Sequence, residues 1–437
     1  MSSQKIPSLG ISPQHALVDE KMTITVHGLE PGAMFTLRAS LSDLQGNRWA
    51  SHSRFRANAE GTLDLAAATP LEGRYDWPDA MGLVCSMQPS DEQQKMVGFI
   101  PFGIEPYTIH FLLESPRGDR IEKDVERIWM KAGVKRQVVR EDGLFGTLFL
   151  PAGKGPHPAL ILVSGSGGGL SETRAAQYAS HGFACLALAY FAYESLSKDL
   201  ANIPLEYFET AIRFLQAHPE IDPAKLGVTG ASRGGELSLL LGATFPQLRA
   251  VTAYVPSGLV WAGFGAEITE SCASWTWKGN PISWVPDDPS FSDGFAEMIV
   301  KGIPIPLTPG FLKSVQHASP QALDAVTIPV EKINGAVLLI SGEDDQMWPS
   351  TYFSNLVMER LERNSFPHPY QHLSYPGAGH AIMAPYGPLP PSHSLHPVDH
   401  QDYAYGGNPK DQAFATEDSW RRVLEFFKTN LAPTSGY

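Results

Sequence analysis

The stretch Leu226-Gly227-Val228-Thr229-Gly230-Ala231-Ser232-Arg233-Gly234-Gly235-Glu236-Leu237 reads as a short buried strand, a sharp turn and the start of a helix, with a serine at the turn. In Gly230-x-Ser232-x-Gly234 the flanking glycines let the backbone turn without Cβ clashes, and the strained corner lifts the serine hydroxyl clear of the sheet. The helix start behind it offers backbone N–H groups with no partner inside the helix. In a chain with 40 glycines the pattern alone is weak, so the surrounding sequence has to supply its context.

Outward from this turn, apolar runs alternate with helical periods. Residues 159–163, 184–189 and 226–229 read as buried strands, and segments near 173–181 and 205–217 as the helices between them. Runs at 250–255 and 336–340 extend the series, and such alternation specifies a doubly wound, mostly parallel sheet. Towards the amino terminus the period changes to two. Met22, Ile24 and Val26, then Phe35, Leu37, Ala39 and Leu41, alternate with polar residues, and further strand-like segments fall at 49–57, 62–65 and 107–113. With turn signals at Gln45-Gly46-Asn47 and Ala59-Glu60-Gly61, residues 7–135 read as an all-β, immunoglobulin-like sandwich. A charged connector around 134–142 sets the expected division into a sandwich at 1–138 and a catalytic domain at 139–437. Residues 257–327, rich in Trp, Pro and Gly, read as a lid-like insertion over the sheet, with Trp275, Trp277 and Trp284 as candidate walls of a substrate pocket.

Composition bounds the function. A chain of 437 residues, 43% hydrophobic and 18% charged, can bury more than one core. Its net charge of −13 argues against nucleic acid or an anionic membrane as the main partner. No run approaches the ~20 apolar residues of a membrane span and the first residues lack a signal-peptide core, so a cytoplasmic protein is expected. The composition leaves a homo-oligomer open. Cys85, Cys185 and Cys272 are too scattered for a disulfide framework or a zinc site, and Cys185 reads as core filler.

A serine hydroxyl is a poor nucleophile at neutral pH and needs a base, which in turn needs a group to orient it. In α/β-hydrolases these follow in the order Ser, acid, His. The loop Ser341-Gly342-Glu343-Asp344-Asp345 directly follows the run 336–340, which favours Asp345 as the acid over Asp344. Strand-like 371–375 leads into Pro376-Gly377-Ala378-Gly379-His380, which makes His380 the base. One oxyanion N–H is expected from Arg233 and the other from Ser166, with Gly167 next, in the loop Ser164-Gly165-Ser166-Gly167-Gly168-Gly169-Leu170. That loop is no dinucleotide fingerprint, because Leu170 stands where a third Gly or Ala is required. His393, His396 and His400 with Asp399 have a spacing that suggests a metal, but a Pro-rich loop lacks the register to converge them, so no metal is expected.

With these residues in hand, the chain resembles the acyl-CoA thioesterase and bile acid-CoA:amino acid N-acyltransferase family over most of its length. The resemblance is carried by Gly165–Leu170 with Arg174, His181-Gly182-Phe183-Ala184, Leu205-Glu206-Tyr207-Phe208-Glu209, the serine turn, Gly342-Glu343-Asp344-Asp345-Gln346-Met347-Trp348, Tyr375–His380 and Ala384-Pro385-Tyr386. In the amino-terminal half Gly28-Leu29 with Pro31, Ala50-Ser51-His52 and Met81-Gly82-Leu83 look like the family's β-sandwich. The resemblance implies an α/β-hydrolase that attacks acyl-CoA thioesters through Ser232, Asp345 and His380 without a cofactor. Serine, where the amide-forming branch typically has cysteine, favours water as acceptor. The rivals are an esterase or amide hydrolase on a non-CoA substrate, an acyl-CoA:amino acid N-acyltransferase, and a non-catalytic binding protein.

Overall fold

The computed structural model describes residues 6–90, 98–99, 103–382 and 385–431. Ala384 of the quoted motifs lies outside these. The chain divides into two compact units.

The first unit is formed by Met1–Lys131 with Met383–Pro391 and Pro409–Glu417. Among its described residues, a three-stranded sheet (Ser8–Ser12, Thr23–His27, Leu63–Asp64) and a larger one share a core around Ile24, Leu37, Phe55, Phe111 and Val125. The larger sheet is built on Met34–Ser42, Arg48–Arg56, Tyr107–Glu114 and Arg120–Ile128. In Met34–Ser42 and Arg48–Arg56 every second residue is buried, so the period-two pattern is the side of each strand that meets the core. A short helix at Gly82–Cys85 interrupts the otherwise all-β unit.

The second unit is formed by Ala132–Ile382, Ser392–Asn408 and Asp418–Tyr437. Its sheet has eight strands: β1 (Lys135–Val139), β2 (Phe145–Leu150), β3 (His157–Val163), β4 (Ala184–Ala189), β5 (Ile221–Ala231), β6 (Leu248–Tyr254), β7 (Ala336–Gly342) and β8 (Tyr370–Tyr375). They lie in the order β1-β2-β4-β3-β5-β6-β7-β8. β2 runs antiparallel to β1 and β4, and every other pair is parallel. This is the α/β-hydrolase sheet. Helices α1 (Glu172–Ser180), α2 (Leu205–Ala217), α3 (Arg233–Thr244) and α4 (Ser350–Arg363) are the crossovers that a parallel sheet requires.

A single division after residue 138 does not describe these units. β1 pairs with β2 along its whole length and so belongs to the sheet, which moves the break to 131/132. The chain also returns to the first unit near its carboxyl end, where Tyr386, Leu389 and Ala413 pack against that unit's core.

Candidate active site

β5 ends at Ala231 and α3 begins at Arg233, so Ser232 alone makes the corner, with φ 58° and ψ −121°. A positive φ is unfavourable for a residue with a Cβ and persists only where the surroundings impose it. Here they do. A Cβ at position 230 would stand 2.4 Å from Gly234 O, and one at position 234 would stand 2.4 Å from Ser164 O. The two glycines therefore let strand, helix and the 164–169 loop meet at the serine. Ser232 N–H is spent on Tyr254 O at 2.9 Å. The N–H groups of Ser166, Gly167 and Arg233 have no acceptor among the described residues, as an oxyanion site requires.

Asp345 follows β7 and His380 follows β8, and the two side chains meet. His380 Nδ1 lies 3.0 Å from Asp345 Oδ1 and 2.9 Å from Oδ2. The carboxylate is almost fully buried and is fixed by three more donors: Met347 N–H (3.0 Å) and Trp348 N–H (3.2 Å) to Oδ1, and the Ser350 hydroxyl (2.6 Å) to Oδ2. Asp344 instead accepts from Gly407 N–H and Gln346 at the surface. With Nδ1 held by the carboxylate, His380 presents Nε2 as its basic atom. No hydrogen bond joins Ser232 Oγ to His380 among the described residues, and such bonds are commonly loose before substrate binds.

Ser232, Ser166 and Arg233 line a cavity of about 360 Å³. Its walls are mostly apolar: Trp261, Phe264, Val285, Phe291, Phe311 and Trp348 among them. The insertion thus supplies much of the cavity, but through residues other than the tryptophans expected. Trp275 is fully buried and donates its indole N–H to Glu236 at 2.9 Å. Trp277 packs edge-on against Phe245, and Trp284 donates to Ser271. All three pack against the hydrophobic core of the eight-stranded sheet, and none is among the residues that line the cavity. Trp348, three residues after Asp345 in the quoted motif, carried a readable signal; Trp261, seven residues past β6, carried none.

The Arg233 side chain is also structural. It donates to Glu236 Oε2 at 2.8 Å, to the carbonyls of Trp261 (3.0 Å) and Ala262 (3.1 Å), and to the Ser274 hydroxyl, so it ties the insertion to the serine turn. Burial pushes the Glu236 carboxyl up to about 7, with Arg233 and Trp275 pulling against it.

The histidine cluster does not converge. His393 pairs with Asp402 (2.9 Å) while His396 reaches Ser166 (2.9 Å). Among the described residues no three His, Cys, Asp or Glu side chains are grouped to hold a metal ion, and no helix is long and apolar enough to cross a membrane.

The profile of the acyl-CoA thioester hydrolase and bile acid-CoA:amino acid N-acyltransferase amino-terminal region matches residues 19–141, and that of the carboxy-terminal region matches 203–433. The chain belongs to this family. It is 35% identical to acyl-coenzyme A thioesterase 1 of Mus musculus over 94% of each chain. It is 33% identical to the peroxisomal succinyl-coenzyme A thioesterase of Mus musculus, covering 95% of this chain and 94% of that one. To the mitochondrial acyl-coenzyme A thioesterase 2 of Homo sapiens it is 34% identical, over 96% of this chain and 83% of that one. The chain is accordingly an enzyme of a hydrolase family.

Proposed function

We propose that the enzyme hydrolyses acyl-CoA thioesters to free acid and coenzyme A through an acyl-Ser232 intermediate. The observation that carries this reading is the strained Ser232 corner, flanked by unbonded amides and opening on an apolar cavity. His380 takes the hydroxyl proton, the Ser232 Oγ–carbon bond forms, and the carbonyl electron pair moves onto the oxygen held by the Ser166 and Arg233 amides. Collapse breaks the carbon–sulfur bond, and the thiolate leaves with the proton from His380. Water, deprotonated by His380, then cleaves the acyl-serine.

The cavity also supports a class of acyl group. Asp287 and Asp288 line it, Asp288 already facing His317 Nδ1 at 2.5 Å, and the one Arg or Lys among its described lining residues, Arg233, has its guanidinium bonded to Glu236 and to the insertion. A carboxylate on the acyl tail would therefore meet like charge without a free counter-ion, so the substrate is an uncharged acyl chain rather than a dicarboxylic one.

The test is turnover of an acyl-CoA series, including succinyl-CoA, and of p-nitrophenyl esters, with and without glycine or taurine. The expected product is free fatty acid even with the amines present; an N-acyl amino acid as main product would overturn hydrolysis. Ser232→Ala and His380→Ala should each lower kcat by roughly 10⁶-fold and Asp345→Asn by roughly 10⁴-fold, with double variants scarcely worse than the Ser232 or His380 singles, because the three act as a unit. Asp344→Asn should cost far less than Asp345→Asn; the reverse order would reassign the acid.

A further inference from the structure

His396 has no part in the chemistry above, yet it lines the same cavity as Ser166 and Ser232. It stands at the start of a loop joining strands His393–Leu395 and Asp402–Ala404. The loop is closed on itself, with His396 N–H donating to Gln401 O and His400 N–H to His396 O, both at 2.9 Å. A Cβ at position 167 would stand 3.1 Å from Pro397 Cγ, so this loop rests against the glycine-rich loop 164–169. The histidine is 5% exposed, with the Phe264 ring edge-on at 5.0 Å and the Tyr403 ring at 6.0 Å.

The hydrogen bonds place its proton. Val398 N–H donates to His396 Nδ1 at 3.2 Å while Asp399 Oδ1, 3.7 Å from the same nitrogen, is too far to accept a hydrogen bond from it, which assigns the lone pair to Nδ1 and the hydrogen of the neutral ring to Nε2. Nε2 lies 2.9 Å from Ser166 Oγ, which therefore accepts there. The neighbours that bear on the ring's charge are Asp399, His380 and His400, and burial, the largest effect, keeps the imidazole below its ordinary value. A serine hydroxyl that accepts from a fixed donor has its own hydrogen turned away from that donor, and Ser166 lines the cavity.

We propose that the Ser166 hydroxyl, aimed by His396 Nε2–H, is a third donor to the oxygen of the tetrahedral intermediate, beside the Ser166 and Arg233 amides. This rests on the acyl-serine reading of the site. A free hydroxyl rotates and must be ordered at the moment of reaction; one anchored by a buried imidazole is ordered beforehand, which is what makes an oxyanion donor effective. His396 is then a positioning residue and Ser166 a catalytic one.

The experiment compares Ser166→Ala, His396→Phe and the double variant. It reads kcat and KM for one acyl-CoA, and inhibition by two analogues with the same tail: a trifluoromethyl ketone, which forms a tetrahedral adduct, and a thioether without a carbonyl. Each single variant should lower kcat about ten- to hundredfold with KM within about threefold, since one donor among several is removed. The double variant should fall no more than about threefold below Ser166→Ala, because the two changes interrupt one chain of hydrogen bonds. Ketone binding should weaken by the same factor as kcat while thioether binding holds. Ser166→Ala with kcat within twofold of the parent, or equal weakening of both analogues, overturns the proposal. The underlying reading fails separately, if a fluorophosphonate does not label Ser232 of the parent enzyme or if Ser232→Ala still turns over.

Discussion

Glu236→Ala would test whether one buried ion pair holds the insertion to the serine turn. The carboxylate is inaccessible to solvent and accepts from Arg233 at 2.8 Å and from the Trp275 indole at 2.9 Å. Removing it leaves a buried guanidinium short of its counter-ion, a loss of about 3–5 kcal/mol, and orphans an indole N–H at about 1 kcal/mol more. Arg233 keeps its bonds to the Trp261 and Ala262 carbonyls, which places the total near the low end, at about 4 kcal/mol. For a unit of roughly 290 residues the unfolding entropy is about 0.6 kcal/mol per degree, so its thermal transition should drop by about 7 °C. Scanning calorimetry on the full chain reads this directly. Glu236→Gln retains an acceptor for one of the two donors and should recover about half the loss. A shift below 2 °C for Glu236→Ala, or a larger shift for the glutamine variant, would refute the reasoning.

The same carboxyl predicts a pH signature. Its folded-state value, about 7, lies above its ordinary one, so the native state binds the extra proton between them; Glu236's contribution is full below the ordinary value and is lost as pH rises through 7. The melting temperature of Glu236→Gln relative to that of the parent should therefore be higher at pH 8 than at pH 5, and no change between the two would remove the buried carboxyl from the pH response. The cavity assignment predicts that Phe311→Ala moves the chain-length optimum of kcat/KM to longer acyl-CoA, each accommodated methylene being worth about 0.8 kcal/mol or roughly fourfold. Trp275→Phe should lower the melting temperature and leave that optimum in place; a shifted optimum would return Trp275 to the pocket wall.

Both architectures were legible from the residues, because each rests on a local periodicity. Alternation at 34–42 and 48–56 gives half-buried strands wherever they end up pairing, and apolar runs of strand length separated by helical periods leave a parallel sheet as the economical way to bury both. Glycines around Ser232 and at 377–379 mark backbone that must turn sharply, which points to the positions of the nucleophile and base by local sterics alone. The loop after 336–340 pointed locally to Asp345 over Asp344, but strand order, the meeting of Asp345 with His380 across 35 residues and the return of 385–391 to the first unit are relations between distant segments, which no local pattern fixes. The cavity wall shows the limit most clearly. Trp275 and Trp261 both lie in the insertion and both spend their indole N–H inside the protein, on the Glu236 carboxylate and on the Ser257 hydroxyl, yet only Trp261 lines the substrate space, a difference set by the distant segments each ring packs against. His396 reaches Ser166 across 230 residues, so its place beside the nucleophile exists only once the sheet has brought both loops to one end.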